Sequence, residues 1–227
     1  MKQKSNFNIF LLLWFGELIS SIGSGLTAFG LGVYVFKVTG SAASMSLVTL
    51  LGFLPSLLLS VPAGILADRY DRRLLMMIGD GFSALGVLFI LICMIRGEAT
   101  LFQICIGVSI SAVFSALLEP SYRATVTDLL TKEEFSRANG LVSLAGSSRY
   151  LFSPLIAGLL LTISDVKLLL IIDIATFLLT VTGAAVVRKG IGIKETKVKE
   201  AFFDSIKSGL KVLRETKDSS PLSFCLP

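Results

Sequence analysis

Long apolar stretches separated by short polar turns dominate the pattern of the chain. Six of them are long enough to cross a bilayer, and they run approximately over residues 7–36, 43–66, 74–95, 100–122, 140–163 and 167–187. A membrane-spanning helix needs about 20 mostly apolar residues. The first stretch exceeds that length, so we expect it to bend near Gly23–Gly25 and Gly30–Gly32 or to protrude on the outer side. The pattern predicts six transmembrane helices.

Positively charged residues lie mostly on one side of these spans. With the N-terminus in the cytoplasm, the inner segments hold 17 of the 21 lysines and arginines, and the outer loops hold only Lys37, Arg96 and Lys167. Cytoplasmic loops of membrane proteins carry an excess of Lys and Arg. We therefore predict a multi-pass protein of the cell membrane (plasma or inner membrane) with both termini in the cytoplasm.

The composition agrees with a membrane protein and excludes several other classes. The chain is 53% hydrophobic and only 16% charged, whereas an ordinary soluble domain carries about 25% charged residues. It has no histidine and no C-x-x-C pair among its three cysteines, so we expect no metal site, no cofactor and no enzyme. The net charge of +5 follows the apolar spans and does not indicate a nucleic-acid surface.

Three regions follow from the charge pattern. Residues 1–187 are predicted to form the six-helix bundle, residues 188–220 a charged cytoplasmic linker, and residues 221–227 the truncated start of a seventh helix. Apolar residues recur at helical spacing in the linker, which predicts an amphipathic helix over Phe202, Phe203, Ile206, Leu210 and Leu213. This helix lies at the inner membrane surface or against the bundle, or it is a solvated linker helix.

The loop between the second and third spans carries the most specific motif. It reads Gly64-Ile65-Leu66-Ala67-Asp68-Arg69-Tyr70-Asp71-Arg72-Arg73. Gly64 and Ala67 are small enough to permit close helix contact, and the arginines can bind carboxylates at helix ends. The loop resembles the G-x-L-A-D-R-x-G-R-R/K signature of the major facilitator superfamily, with Asp71 in place of the second glycine.

With this replacement, the loop resembles the motif of the macrolide-efflux-like and enterobactin-exporter-like branch of that superfamily. Other fragments that fit the branch are Leu13–Gly16, Thr39–Ala42, Phe53–Pro55, Glu119–Tyr122, Asp128–Leu130, Arg137–Gly140 and Ile172–Phe177. The resemblance implies an all-α membrane fold: the N-terminal half of a twelve-helix transporter, built from 3+3 inverted repeats. It also implies proton-coupled efflux of amphiphilic drugs or siderophore-like compounds by alternating access, with a missing C-terminal half or a second copy as partner.

Charged residues inside the spans are the candidate proton and substrate residues, because each costs about 2.5–3.5 kcal/mol to insert at mid-helix. Glu17 lies near the midplane of the first span, where we expect it to carry protons or bind a cationic substrate. Arg149 lies at a similar depth and either shares this role or pairs structurally with Glu17. Asp173 is a further candidate, although the resemblance places the third and sixth helices toward the outside of the bundle. There, hydrogen bonding within the structure is the expected role of Asp80 and Asp173.

An inner gate is predicted around the loop motif. Glu119, at the inner end of the fourth span, can reach the Asp68–Arg73 loop and form a charge network with Arg123. Ion pairs of this kind would hold one conformation closed and would break in the other. The proposed gate comprises Gly64, Asp68, Arg69, Arg72, Arg73, Glu119 and Arg123.

A second motif lies in the fifth span. Ser153-Pro154-Leu155-Ile156-Ala157-Gly158 looks like a degenerate form of the G-P-x-x-G-G element of drug:proton antiporters. Ser153, Pro154 and Gly158 are predicted to form a helix-packing element, in which Pro154 favours a kink. An ordinary kinked packing helix is the alternative. The fourth-helix arginine of such antiporters is absent at mid-span, where Gly107-Val108-Ser109 stand.

Other classes of protein remain open at this point. A truncated half-bundle that does not transport and has only an assembly role fits the same residues. A six-span subunit of an ATP-driven exporter is disfavoured, because the chain contains no G-x-x-x-x-G-K-[ST] motif. The partners that we expect are membrane lipid, a small amphiphilic substrate, protons and a second six-helix half, and not nucleic acid.

Overall fold

Seven helices make up the part of the chain that the structure describes. The computed structural model describes residues 7–190, with side chains at 7–131 and 134–185. The predicted amphipathic helix and the predicted start of a seventh span lie outside these residues. The helices are α1 (Phe7–Thr39), α2 (Ala42–Arg69), α3 (Arg72–Arg96), α4 (Leu101–Ser115), α5 (Leu118–Leu129), α6 (Lys132–Ile163) and α7 (Val166–Gly190).

The prediction of six transmembrane helices is confirmed. Six helical stretches of the described chain are long and apolar enough to cross a membrane, and α4 and α5 together form the fourth, Leu101–Leu129. The first span is one uninterrupted helix of 33 residues, so its glycines do not break it. The last helix extends to Gly190, three residues beyond the predicted end of the span.

The fourth span is divided by a tight turn at Ala116–Leu117. Leu117 donates its backbone N–H to the carbonyl of Phe114 at 3.1 Å, a three-residue step characteristic of a 3₁₀ turn. Pro120 lies three residues further on, in the first turn of α5, where its missing N–H is tolerated. The chain therefore restarts a helix at Leu118 and carries its inner end to Leu129.

Short capped turns join the spans. Gly40 adopts a φ of +65° between α1 and α2, a left-handed conformation that favours glycine, and Ser41 then caps α2 by accepting the N–H of Ser44. Thr100 and Gln103 form a reciprocal capping box at the start of α4. These caps satisfy backbone N–H groups that have no partner within their own helix.

Helix contacts repeat in an inverted order. The first span packs along α6 and α7, the fourth span packs along α2 and α3, and α3 packs along α7. If the first three spans are exchanged with the last three, each of these contacts becomes another member of the set. This is the arrangement expected of two three-helix inverted repeats. The bundle thus has the architecture of one half of a major facilitator fold.

The third and sixth spans pack against each other within this six-helix bundle. Within this bundle α3 and α7 are central, since they pack against each other and α3 has the largest buried share of the six spans. The least buried span is α2. Carboxyl groups on α3 and α7 are consequently enclosed by the bundle rather than placed at its periphery.

Two apolar clusters enclose a polar layer. The cluster toward the outer side includes Leu31, Val87, Ile90 and Leu170, and the cluster toward the inner side includes Phe10, Met76, Val126 and Leu129. Buried polar side chains form the layer: Ser20, Asp80 and Ser83 lie between the two clusters along α1 and α3, and Asp173 and Thr176 lie on α7 beside the first cluster. The helices therefore enclose a group of polar side chains within the bundle.

Candidate functional site

Glu17 lies in the polar layer on α1 and is half-buried. One turn toward the inner end, Trp14 anchors α1 to α6 by donating its indole N–H to the Leu141 carbonyl at 2.6 Å. The Ser21 hydroxyl donates a long hydrogen bond of 3.5 Å to the Glu17 carboxylate. Among the described residues, Glu17 thus has one weak hydrogen-bonding partner, and its place near the midplane of the membrane stays a prediction.

Asp173 is enclosed between α1 and α7, and only 1% of its surface is exposed. The Ser24 hydroxyl donates to its Oδ1 at 3.2 Å. The close approach of the two helices depends on Gly23, because a Cβ at that position would come within 3.1 Å of Asp173 Oδ1. Asp173 therefore makes a hydrogen bond of the kind expected from the sequence, although inside the bundle.

Asp80 is a third buried carboxyl, and its position links the other two. It lies on α3, is 3% exposed and is adjacent to the Thr180 hydroxyl of α7. It is within electrostatic reach of both Glu17 and Asp173. From the sequence, Asp80 was expected to have only a structural role, because the periodicity of α3 alone does not show that its polar face meets α1 and α7.

Arg149 is the cation that faces this group, but it is not in direct contact with Glu17. Within the described residues, Arg149 and Glu17 form no ion pair at 4.0 Å or less. Arg149 acts at longer range on both Glu17 and Asp173. The direct pair of Glu17 with Arg149 that the sequence suggested as an alternative is therefore not formed. Arg149 is instead a more distant cation that acts on both Glu17 and Asp173.

The hydroxyl groups around these carboxyls were missed at the sequence level. On α1 they follow Glu17 at helical spacing, as Ser20, Ser21, Ser24 and Thr27. Such a polar stripe on an apolar helix could have been recognised in the sequence. Serine and threonine are easily overlooked in spans, because their hydroxyls can hydrogen-bond their own backbone. The structure turns part of this stripe toward Asp173.

Arg72 is the centre of the inner loop. Its guanidinium donates to the Asp128 carboxylate at 2.6 Å, to the Ala124 carbonyl at 2.9 Å and to the Ala67 carbonyl at 3.2 Å. It also lies 3.9 Å from Asp68. Arg72 therefore ties the inner ends of α2 and α5 to the start of α3.

Glu119 has a different partner from the one expected in the loop. It pairs with Arg123 at 2.9 Å on its own helix, and both side chains are more than 60% exposed. The acidic partner of Arg72 is Asp128, which stood out in the sequence only as part of a family fragment. The expected pairing of Glu119 with Arg123 is present, while the cross-helix contact to Arg72 is made by Asp128.

The remaining residues of the loop motif divide into buried and open positions. Ala67 is buried at 2% exposure, as expected for a close helix contact. A Cβ on Gly64 would meet no described atom within 4 Å, so the expected close approach to Gly64 is not made by the described helices. Asp68 is 78% exposed. Arg69 and Arg73 both have interaction partners within the protein.

The motif of the fifth span packs against α1. Ser153 is fully buried and donates its hydroxyl to the Ile22 carbonyl at 3.0 Å, and Gly25 on α1 allows this approach. Pro154 lies inside α6, which continues through it. A Cβ on Gly158 would meet no described atom within 4 Å. The contact is thus made by the Ser153 end of the motif.

A shallow groove of about 280 Å³ opens between α2 and the fourth span. Ser56 and Ser60 line one side, and Ser115 with the Glu119–Arg123 pair lines the other. The groove lies at the turn that divides the fourth span.

These features define a class of protein: a multi-pass membrane bundle of six helices with inverted repeats, a charged inner loop and carboxyl groups at mid-membrane depth. The family comparison is specific. Residues 5–226 match the model of a major facilitator family described as "transmembrane secretion effector". The chain belongs to this family, and its resemblance to the macrolide-efflux branch is confirmed.

Curated relatives agree with this assignment. Macrolide efflux protein A of Streptococcus pyogenes is 26% identical over 219 residues, which are 96% of this chain and 54% of the relative. The multidrug efflux pump Tap of Mycolicibacterium fortuitum is 27% identical over 88% of this chain and 51% of its own length. The staphyloferrin A transporter of Staphylococcus aureus is 27% identical over 70% of this chain and 38% of its own.

The chain spans about half the length of the curated relatives that it matches most fully. Family and relatives indicate a transporter rather than an enzyme. They also support a multi-pass protein of the cell membrane.

Proposed function

We propose that this chain forms the N-terminal-type half of a proton-coupled exporter of amphiphilic compounds. The observation that carries the proposal is Glu17, a half-buried carboxyl at mid-membrane depth whose one short-range partner among the described residues is a 3.5 Å bond from Ser21. A carboxyl in such surroundings can alternate between a protonated and an ionised form as its surroundings change. Arg149 and Asp173 complete the proposed proton and substrate site.

The substrate class is inferred from the relatives and from the chemistry of the bundle. The named relatives include a macrolide efflux protein, a multidrug efflux pump and a staphyloferrin A transporter. The bundle offers mostly apolar surface with a few carboxyls and one arginine, which suits an amphiphilic or cationic compound better than a strongly hydrophilic one. We infer that the exported compounds are amphiphilic drugs or siderophore-like molecules.

Transport by alternating access requires a second six-helix bundle in this proposal. Such folds bind substrate at midplane between two halves and rock one half against the other. The second half is either a C-terminal continuation or a second copy of this chain. Asp68, which is 78% exposed, is available for a contact with that half, and the Arg72–Asp128 pair would hold the inner side together until the gate opens.

The orientation follows from charge. Most lysines and arginines lie on the side of the chain termini, and cytoplasmic segments are enriched in these residues. We therefore propose that both termini face the cytoplasm and that export proceeds from the side of the Asp68–Arg73 loop to the side of Lys37 and Arg96.

The test of coupling uses this chain joined to a second half, in inverted membrane vesicles with an imposed proton gradient. Glu17→Gln keeps the size of the side chain but cannot take up or release a proton, so it is expected to abolish gradient-driven uptake of a macrolide. The control Glu98→Gln makes the same change in an exposed outer turn and should transport normally. Unchanged uptake and unchanged pH dependence in Glu17→Gln would refute the coupling role.

The gate is tested separately. Asp68→Asn should lower transport without lowering the amount of protein in the membrane, because its exposed side chain contributes little to the fold of this half. Asp165→Asn, in the exposed outer turn before α7, is the matched control. A parallel loss of protein and activity would instead make Asp68 a folding residue.

The second candidate is a half-bundle that does not transport and has only an assembly role. It is favoured because the matched region makes up only 54% of the relative's length. Drug accumulation is measured in cells that produce the 227-residue chain alone and in cells that also produce a second half. Reduced accumulation only in the second case supports the exporter. No reduction in either case supports the assembly role.

A further inference from the structure

The groove between α2 and the fourth span lies where the backbone of that span is interrupted. Ala116 and Pro120 are both part of its lining. In an unbroken helix the Ala116 carbonyl would accept the N–H of residue 120, but proline has no N–H to donate. The negative end of the α4 dipole also lies here, because α4 ends at Ser115. The interrupted backbone therefore favours positive charge and hydrogen-bond donors in the groove.

The serines on the α2 side of the groove can only accept hydrogen bonds from a ligand. The Ser56 hydroxyl donates to the Phe53 carbonyl at 2.6 Å, and the Ser60 hydroxyl donates to the Leu57 carbonyl at 2.8 Å. A serine hydroxyl has one proton and two lone pairs. Because the backbone engages both protons, Ser56 and Ser60 present oxygen lone pairs to the groove.

A buried hydroxyl group holds the opposite wall of the groove in place. Ser83 of α3 is fully buried, and its hydroxyl oxygen lies 2.7 Å from that of Ser111 and 2.8 Å from that of Ser115. These two hydrogen bonds fix Ser115, the last residue of α4, at the edge of the groove. The wall is therefore set by contacts inside the bundle and is formed before any ligand binds.

Glu119 brings a full negative charge to the groove. Its carboxylate lies 2.9 Å from the Arg123 guanidinium, and the side chains of Glu119 and Arg123 are 70% and 64% exposed. Exposed ion pairs contribute little to stability, because water screens both charges. Arg123 is thus a resident cation that the positive group of a ligand can replace at little cost.

The apolar part of a ligand has a place one helical turn away. Phe53 lies on the same face of α2 as Ser56 and Ser60. It is 57% exposed and lines a neighbouring groove of about 390 Å³ together with Met45 and Leu50. The groove of about 280 Å³ is at the small end of ligand sites, so it accommodates a head group rather than a whole drug-sized molecule.

We propose that the groove binds the protonated amine of a small amphiphilic compound. The ammonium group donates hydrogen bonds to the hydroxyl oxygens of Ser56 and Ser60. It also replaces Arg123 as the partner of the Glu119 carboxylate, while the apolar part of the compound lies along α2 toward Phe53. This site deepens the proposed function and rests on it, since amphiphilic compounds are the proposed cargo.

Binding is measured by equilibrium dialysis at pH 7, with the full 227-residue chain in nanodiscs of phosphatidylcholine and phosphatidylglycerol. Empty nanodiscs correct for partition into lipid. The probes are 4-phenylbutylamine, its trimethylammonium derivative, which has the same charge but no N–H, and 4-phenylbutyrate, which has the opposite charge. The amine should bind about tenfold more tightly than the other two, because only the amine combines positive charge with N–H donors. Equal binding of the amine and the carboxylate would overturn the proposal.

Two substitutions in α5 should change the affinity for 4-phenylbutylamine in opposite directions. Glu119→Gln removes the negative charge and should weaken binding about tenfold. Arg123→Gln removes the competing cation and should strengthen binding about threefold. A loss of the local fold would weaken binding in both variants, so the opposite signs separate recognition from folding. Glu98→Gln, in an exposed outer turn, is the matched control and should bind as the wild type does.

Ser60→Ala tests the α2 side of the groove. It removes an acceptor and should weaken binding of 4-phenylbutylamine about threefold, while binding of the trimethylammonium probe should not change, because that probe donates no hydrogen bond. Ser147→Ala, at an exposed position of α6, is the control. Unchanged affinity for the amine in both Glu119→Gln and Ser60→Ala would overturn the proposal. Loss of amine binding on addition of phosphatidylethanolamine would overturn it as well, because a lipid ammonium group would then be the occupant.

The binding assay is independent of the transport assay, since it needs neither a second half nor a proton gradient. Amine binding that depends on Glu119 shows the site even if Glu17→Gln leaves export unchanged, in which case the coupling role of Glu17 fails and the site stands. If export requires Glu17 while Glu119→Gln binds the amine as the wild type does, the site fails and the proposed function stands.

Discussion

The contact between α3 and α4 offers a sharp test of the packing. Gly86 and Gly107 face each other there, and a Cβ built on Gly86 would lie 2.5 Å from the Gly107 carbonyl oxygen and 2.7 Å from the Ser111 nitrogen. Both distances are far below the 3.4 Å at which ordinary van der Waals contact begins. Because the opposing atoms belong to the backbone, they cannot rotate away as a flexible side chain could. Gly86→Ala must therefore push the two helices apart.

The expected cost can be set against a control in the same helix. Overpacking of this kind costs about 1–3 kcal/mol, while alanine regains about 0.5–1 kcal/mol of helix stability relative to glycine. Gly86→Ala should then lose about 2 kcal/mol net, since its contacts are at the tight end. A Cβ added at Gly81 would meet no described atom within 4 Å, so Gly81→Ala should be neutral or stabilising.

Thermal unfolding of the chain in detergent micelles or nanodiscs measures the difference. For a chain of this length about 1 kcal/mol corresponds to 2–4 °C in Tm, so Gly86→Ala should unfold about 4–8 °C below the wild type. Gly107→Ala, whose Cβ would lie 2.8 Å from the Gly86 carbonyl oxygen, should show a similar loss. Equal Tm values for Gly86→Ala and Gly81→Ala would refute the predicted helix contact.

Three further predictions concern the inner loop, the α1–α6 contact and the orientation. Arg72→Lys keeps the charge but loses the planar fork that reaches several acceptors, so it should cost about 1–2 kcal/mol in thermal unfolding; a wild-type Tm would contradict its bridging role. Ser153→Ala should lower the free energy of unfolding by about 0.6 kcal/mol, because it removes one interhelical hydrogen bond. The control Ser147→Ala, at an exposed position of the same helix, should leave it unchanged, and equal free energies of unfolding for the two variants would argue against that bond. In a background without native cysteines, Glu98→Cys should react with a membrane-impermeant thiol reagent on intact cells and Tyr70→Cys only after permeabilisation; the reverse pattern would invert the topology.

Individual positions show how far the sequence could be interpreted. Glu17 was identifiable because a carboxylate in an apolar span is costly and therefore needs an explanation. The partner of Arg72 was not identifiable, because Glu119 and Asp128 both lie on the inner part of the fourth span and differ by about two and a half turns. The tight turn at Ala116–Leu117 and the direction of α5 select Asp128.

Asp80 illustrates the same limit in the core. Its charge and depth were visible in the sequence, but its neighbours were not, since the helical period of α3 gives the face of a residue and not the helix that covers it. The resemblance to the superfamily suggested a peripheral position, whereas in this bundle α3 packs along both α4 and α7 and encloses Asp80. Only that packing buries its carboxyl, which is 3% exposed.

The sequence by itself determined the number of spans, the helical class and the charge asymmetry that predicts orientation. These properties depend on apolar length and local charge, which the bilayer selects one helix at a time. The tertiary structure alone decided which helices meet, which acidic group binds Arg72, and that Asp80 and Asp173 are buried inside the bundle. Those outcomes depend on close approaches at small residues such as Gly23, Gly25 and Gly86, where helices distant in sequence come into contact.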